Sequence, residues 1–187
     1  LKRLRNAHRK HITQTVDLGF LPESEGWEMF AKQTGWELGQ GGHVKMGPIQ
    51  RAAAQVGTAD ETALVKNLQS KNASIRYWAA LGLAHHQELR LETKQQLRKA
   101  LTDPSPAVRI EVANTLIRAG DPNPALRALI KDLAHENLII VTHAARTIEL
   151  LGPQAIVAKK PMAEALKRAE TIRPPDTPAT VVLPGDK

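Results

Sequence analysis

Residues 100–116 read ALTDPSPAVRIEVANTL, and the reading of this stretch decides the fold. Ser105 stands between two prolines with Arg109 four positions on, so the segment is either a catalytic loop or the bend between two helices. Sliding the chain along itself favours the bend. NLQSKNASIRYWAALGL (67–83) lies 33 positions earlier and sets Leu68 on Leu101, Ile75 on Val108, Arg76 on Arg109, Ala80 on Ala113 and Leu83 on Leu116. DLAHENLIIVTHAARTI (132–148), a further 32 positions on, brings Leu133, Ile140, Ala144, Ala145 and Ile148 into the same apolar slots. A period of this length with retained apolar slots is the mark of a repeat array.

Within each unit the second half is apolar at i, i+4, i+5 and i+8, one stripe of a 3.6-residue helix. Another helical stretch precedes it, at 58–69, 91–101 and 124–133, so each unit is expected to be two helices and a tight turn. Asn72, Ser105 and Asn137 fall on one another, and each can accept a bond from unpaired amides at the start of its second helix. Pro106 then occupies the first helical position, where a missing N–H is harmless. Asn123-Pro124 is expected to repeat that device, Thr58 and Glu61 to form a capping box, and Gly152-Pro153 to stop the last paired helix.

The wider composition agrees with close-packed helices. Aromatic residues make up 3% of the 187 positions, alanine and leucine are abundant, and valine and isoleucine rarely alternate with polar residues as in strands. The absence of cysteine excludes disulfides, thiolate metal sites and cysteine nucleophiles. No apolar run approaches the ~20 residues of a membrane span. LKRLRNAHRK (1–10) is basic without the apolar core of a signal peptide, and a start at Leu1 suggests a fragment or processed product. The net charge of +7 is uneven, with five Lys/Arg against Asp17 alone in residues 1–20. Such a segment can meet phosphate or an anionic surface, although a solvated helix face is the plainer reading.

The turn aspartate, the Val-Arg helix start and the alanine pairs resemble HEAT repeats of the short bacterial type, over residues 47–170. The resemblance implies an all-α, right-handed α-solenoid of about three helical hairpins, capped by helices at 48–56 and 162–170 and followed by an extended Pro-rich tail at 171–187. In that family the turn aspartate and the helix-start arginine bond between successive units as a ladder. Here only the middle unit offers both, Asp103 and Arg109. The first has Ser70 and Arg76, the third His135 and Val141, so the expected ladder of Arg76, Asp103 and Arg109 is incomplete. Neither a T-P-L-H nor a W-x-x-L-G-x-x-Y motif is present to favour ankyrin or tetratricopeptide units.

Residues 1–46 read as a basic helix, with Leu1, Leu4 and Ile12 on one side, followed by an irregular Gly-rich arm. Phe20, Leu21, Trp27, Phe30 and Trp36 must then pack on the repeats or on a partner. The basic helix running into DLGFLPE (17–23), then GWEL (35–38), then a proline-led helix resembles the C-terminal end of bacterial sulfatases, and IRYWAALGL (75–83) is similar to the first repeat that follows some of them. This implies a parent that hydrolyses sulfate esters, with calcium and formylglycine elsewhere and a periplasmic or extracellular setting if exported. It implies no activity here: the formylglycine motif C/S-x-P-x-R does not fit Ser105-Pro106-Ala107-Val108-Arg109, where proline comes one residue early, and no acid cluster suits a hard cation.

No catalytic, cofactor-binding or metal residue is therefore assigned. His8 and His11 could form one edge of a metal site but lack a third ligand, His85-His86 suits a helix end, and GQGGH (39–43) lacks the lysine and spacing of a phosphate loop. A surface is the better candidate. In the repeat register Trp78, Glu111 and His143 stack, as do Leu81, Asn114 and Arg146, on the second helices that line the concave face of such arrays, the alternative being that Trp78 packs between units as ordinary core. The expectation is a non-catalytic interaction or architectural module whose ridge meets another protein, an acidic segment or a parent's catalytic domain. A stand-alone scaffold and a nucleic-acid-binding array are the alternatives, the last disfavoured by mixed charge on the concave rows.

Overall fold

The computed structural model describes residues 2–30, 33–42 and 44–172; of the expected tail, residues 173–187 lie outside the described part. Among the described residues there are eleven α-helices and no strand, and the architecture is an α-solenoid. Three hairpins form its body: α5 (Glu61–Asn67) with α6 (Ala73–Leu83), α7 (Leu91–Ala100) with α8 (Pro106–Arg118), and α9 (Pro122–Asp132) with α10 (Leu138–Glu149). The second helices α6, α8 and α10 stack in one layer, which α4 (Met46–Ala53) extends at the N-terminal end. At the other end a 3₁₀ segment (Gly152–Ala158) and α11 (Lys159–Ile172) cover α10.

Local chemistry starts the second helices where the register requires. Asn72 accepts from the Ile75 amide, Ser105 from Val108 and Asn137 from Ile139, each side chain satisfying a donor that has no partner inside its helix. The residue two positions earlier completes each turn. Ser70, Asp103 and His135 accept the backbone N–H of Asn72, Ser105 and Asn137 at 3.2, 2.9 and 3.0 Å. Their shared register position thus answers to the turn's need for an acceptor, which a hydroxyl, a carboxylate or an imidazole can each meet.

Two helix starts differ from the sequence reading. Asp60, not Thr58, caps α5 by accepting from Ala63, while the Thr58 hydroxyl donates to the Ala54 carbonyl. Glu61 is thereby free to bind the next unit, accepting from the Arg90 backbone N–H and Nε at 3.0 and 3.1 Å. Pro122, not Pro124, sits at the start of α9, and the preceding Asp121 makes no cap because its carboxylate accepts from Arg98 Nε at 2.6 Å.

Between the layers Leu64, Leu83, Leu97, Val108, Leu116, Leu129 and Ile140 are inaccessible to solvent. Each such side chain contributes roughly 1.5–3 kcal/mol relative to an exposed one. Buried Ala79, Ala80, Ala113 and Ala144 keep adjacent second helices close. At Gly82 the approach is closest: a Cβ there would lie 2.7 Å from Leu64 Cδ2, so α5 and α6 touch through a missing side chain.

Polar links tie one unit to the next. Arg76 grips Asp103 with two bonds of 2.7 Å while its third nitrogen holds the Ser70 carbonyl. Arg109 repeats this one unit on, holding the Asp103 carbonyl and pairing with Asp132 at 2.5 and 3.4 Å. The ladder expected to be incomplete thus continues into the third unit, because Asp132 at the end of α9, three residues before the His135 that holds the turn-aspartate slot, supplies the acid. Thr115 adds a buried bond to the Ala80 carbonyl at 2.9 Å. Because the Asp132 and Arg109 side chains are 4% and 19% exposed, removing either partner strands a desolvated charge. In a double-mutant cycle on Arg109→Ala and Asp132→Ala, urea unfolding is expected to give a coupling energy of about 1–3 kcal/mol. The solvent-facing Arg127→Ala should stay within about 0.5 kcal/mol of the parent.

Candidate interaction surface

The second-helix face does not present one continuous ridge, because the N-terminal arm crosses it. After α1 (Lys2–Thr15), Asp17 caps a 3₁₀ turn at Leu18–Phe20 by accepting from Gly19 at 3.0 Å. The chain then enters α2 (Glu23–Phe30), which packs against α8 and α10. The arm is more regular than its glycines suggest: Thr34 and Glu37 form a reciprocal capping box that starts α3 (Gly35–Gln40).

Trp78, the aromatic of the expected ridge, is half-buried beneath this arm. Its ring lies 6.2 Å from that of Phe20, and its Nε1 donates to the Phe20 carbonyl at 2.9 Å. Leu21, Met46 and Ile49 form a small core beside it, with Ile75 packed on. Trp78 is thus in contact with a segment of its own chain, 58 residues away. Trp27, Phe30 and Trp36, expected to pack on the repeats or on a partner, are 51%, 37% and 75% exposed.

Ser105 anchors the arm a second time. While its oxygen caps α8, its hydroxyl donates to the Glu25 carboxylate. Nothing in the sequence pairs Glu25 with Ser105 across 80 residues, since neither lies in a motif that names the other. Glu23 faces His143, and Leu81, Asn114 and Arg146 occupy the second row. Asn114 turns to donate to Glu111 at 3.1 Å, and Arg146 pairs in solvent with Glu149. The two rows therefore divide into an arm-covered part at Trp78, a buried carboxylate at Glu111 and an open part at His143 and Arg146.

Beside the arm a groove of about 480 Å³ opens between α2, α6, α8 and α10, lined by Pro22, Tyr77, Ala107, Leu138, Ile139 and His143 with Arg146 at its edge. Burial sets its electrostatics. Desolvation, helped by the Glu111 charge, pushes the Tyr77 phenol up to about 12. Burial lowers the pKa of His143 against the opposing pull of Glu23, so the ring is neutral at neutral pH. Burial likewise raises that of Glu111, against the Asn114 hydrogen bond and the charges of Arg118 and His85. The groove presents apolar walls, a phenol and a neutral imidazole, with the charged Glu23 and Arg146 also in its lining, features suited to holding a side chain.

The histidine pair His8 and His11 gains no third ligand: among the described residues no group of three His, Cys, Asp or Glu could hold a metal. No described helix is long and apolar enough to cross a membrane. Comparison with known families agrees with the hairpins: residues 61–149 match the family model for HEAT repeats, which supports a HEAT-repeat domain over this segment. HEAT repeats suggest a protein-interaction or scaffold module. No curated protein matches the chain.

Glu111 supplies a test of the electrostatics. A carboxyl with its pKa raised in the native state holds its proton more tightly than in the unfolded chain. Stability therefore falls as pH rises from the unfolded value of about 4.3 through the native one. Glu111→Gln keeps an acceptor for Asn114 and removes the charge, so its melting temperature should exceed the parent's at neutral pH. The gap should close toward about pH 4, and a variant less stable at neutral pH would contradict the raised pKa.

Proposed function

We propose that the chain is a non-catalytic interaction module whose second-helix face is a peptide-docking surface. The observation that carries this is the arm itself: a short acidic segment bearing Phe20, Glu23 and Glu25 lies on that face. It uses an aromatic contact, a backbone acceptor and a carboxylate on a cap hydroxyl. These are the elements by which a helical array takes a partner's segment, and the adjoining groove continues past the arm toward His143 and Arg146. Glu111 and the acidic arm on the same face disfavour a duplex, which needs a track of positive charge.

The finer reading, that this module serves a sulfatase-like parent by packing on its catalytic domain or shaping its entrance, rests on the resemblance at 17–23, 35–38 and 75–83. Ser105 is a cap and an arm anchor in this reading, so the chain alone should hydrolyse an aryl sulfate no faster than buffer.

The lack of native cysteines makes the docking face directly addressable. Single Leu81→Cys, Arg146→Cys and Lys131→Cys variants, each carrying a photo-crosslinker, are to be irradiated in extract from the source cells. Protein adducts at positions 81 and 146, absent at Lys131 on α9, are expected by mass spectrometry. Adducts confined to Lys131, or none at 81 and 146, would remove the docking face from consideration.

A further inference from the structure

Helix α1 carries Lys2, Arg3, Arg5, Arg9 and Lys10 with no acid in its 14 residues, and none of these cations pairs with a carboxylate among the described residues. Ile12 is its one buried residue, held near α4, and Leu4 stands 71% exposed. Arg5, His8 and Arg9 share one face of the helix, at i, i+3 and i+4. They form the rim of a groove of about 420 Å³ whose other walls include Phe20, Trp78, Ala53 and Gln50. A helix face that served only solubility would need no such cavity behind it. Here two arginines and two aromatic residues line one groove.

We propose that this groove binds an acidic peptide segment of a partner protein, its carboxylates on Arg5 and Arg9 and one apolar side chain seated against Phe20 and Trp78. Charge complementarity selects an anionic ligand, and Arg accepts carboxylates in paired geometry. The cavity takes an anchor of side-chain size. A nucleic-acid strand is disfavoured because the α1 cations, Lys2 to Lys10, span only about 12 Å of helix. Beyond them the face carries Glu23, Glu25 and Glu111, which repel phosphate. This groove is separate from the one bounded by His143 and Arg146, and the inference stands or falls independently of crosslinking there.

Fluorescence anisotropy of the full chain with a labelled glutamate-rich peptide containing one phenylalanine and one leucine tests it. Saturable binding is expected at low salt, weakened at least about tenfold by the exposed pair Arg5→Glu and Arg9→Glu, and little changed by Arg127→Glu, which alters net charge elsewhere. A polyglutamate without apolar residues should bind more weakly, since it leaves Phe20 and Trp78 without an apolar contact. No binding of the mixed peptide, equal binding of polyglutamate, equal loss in Arg127→Glu, or tighter binding of oligo(dT) with a steep salt slope would each overturn the assignment, the last in favour of nucleic acid.

Discussion

Helix α8 is enclosed by its neighbours, and the stack depends on that enclosure. Ala107, Val108, Ile110, Val112, Ala113 and Leu116 are buried, as are the polar Glu111 and Thr115, so little of its surface is left to water. A helical hairpin has apolar surface on more sides than its own partner helix can cover, and a neighbouring unit must complete the burial. The middle unit has neighbours on both sides. The outer units need substitutes, which explains α4 at one end and the 3₁₀ segment with α11 at the other. At the second end Leu150, Ile156, Val157 and Leu166 remain largely exposed, so that closure is looser.

The polar groups follow the same logic. An arginine at a second-helix start answers the free carbonyls of its own turn and reaches an acid of the next unit, so one side chain fixes both the local bend and the spacing between units. Ser105 combines roles similarly, satisfying an orphan amide and offering its proton to the arm. Groups that an isolated reading would assign to chemistry are here engaged with the backbone. No buried side-chain nitrogen or oxygen among the described residues lacks a partner, so the interior holds no waiting polar group, and the features that could act lie on the surface.

That surface is divided by sign. The basic helix α1 and the acidic α2 are joined by a few residues, yet they meet different parts of the repeat body. Glu25 accepts from the Ser105 hydroxyl, and the charge of Glu23 acts on His143. The cations face outward around Phe20 and Trp78. One segment of chain therefore fills part of the second-helix face and frames a new groove at its edge.

The sequence by itself determined the helices of the repeat body, their turns and their order. The apolar slots at Leu68, Leu101 and Leu133 and the caps at Asn72, Ser105 and Asn137 are local signals, set by helical periodicity and by amides that need an acceptor within a few residues. Misreadings were local too: with Thr58 and Asp60 close together, only the path of the chain decides which of them caps α5. The tertiary structure alone decided that Asp132 and not His135 meets Arg109, that Trp78 lies under Phe20, and that Glu25 finds Ser105. Those partners are separated by 23, 58 and 80 residues. No periodicity records such distances, because an ion pair or an aromatic contact depends on where folding brings two side chains and not on their spacing along the chain.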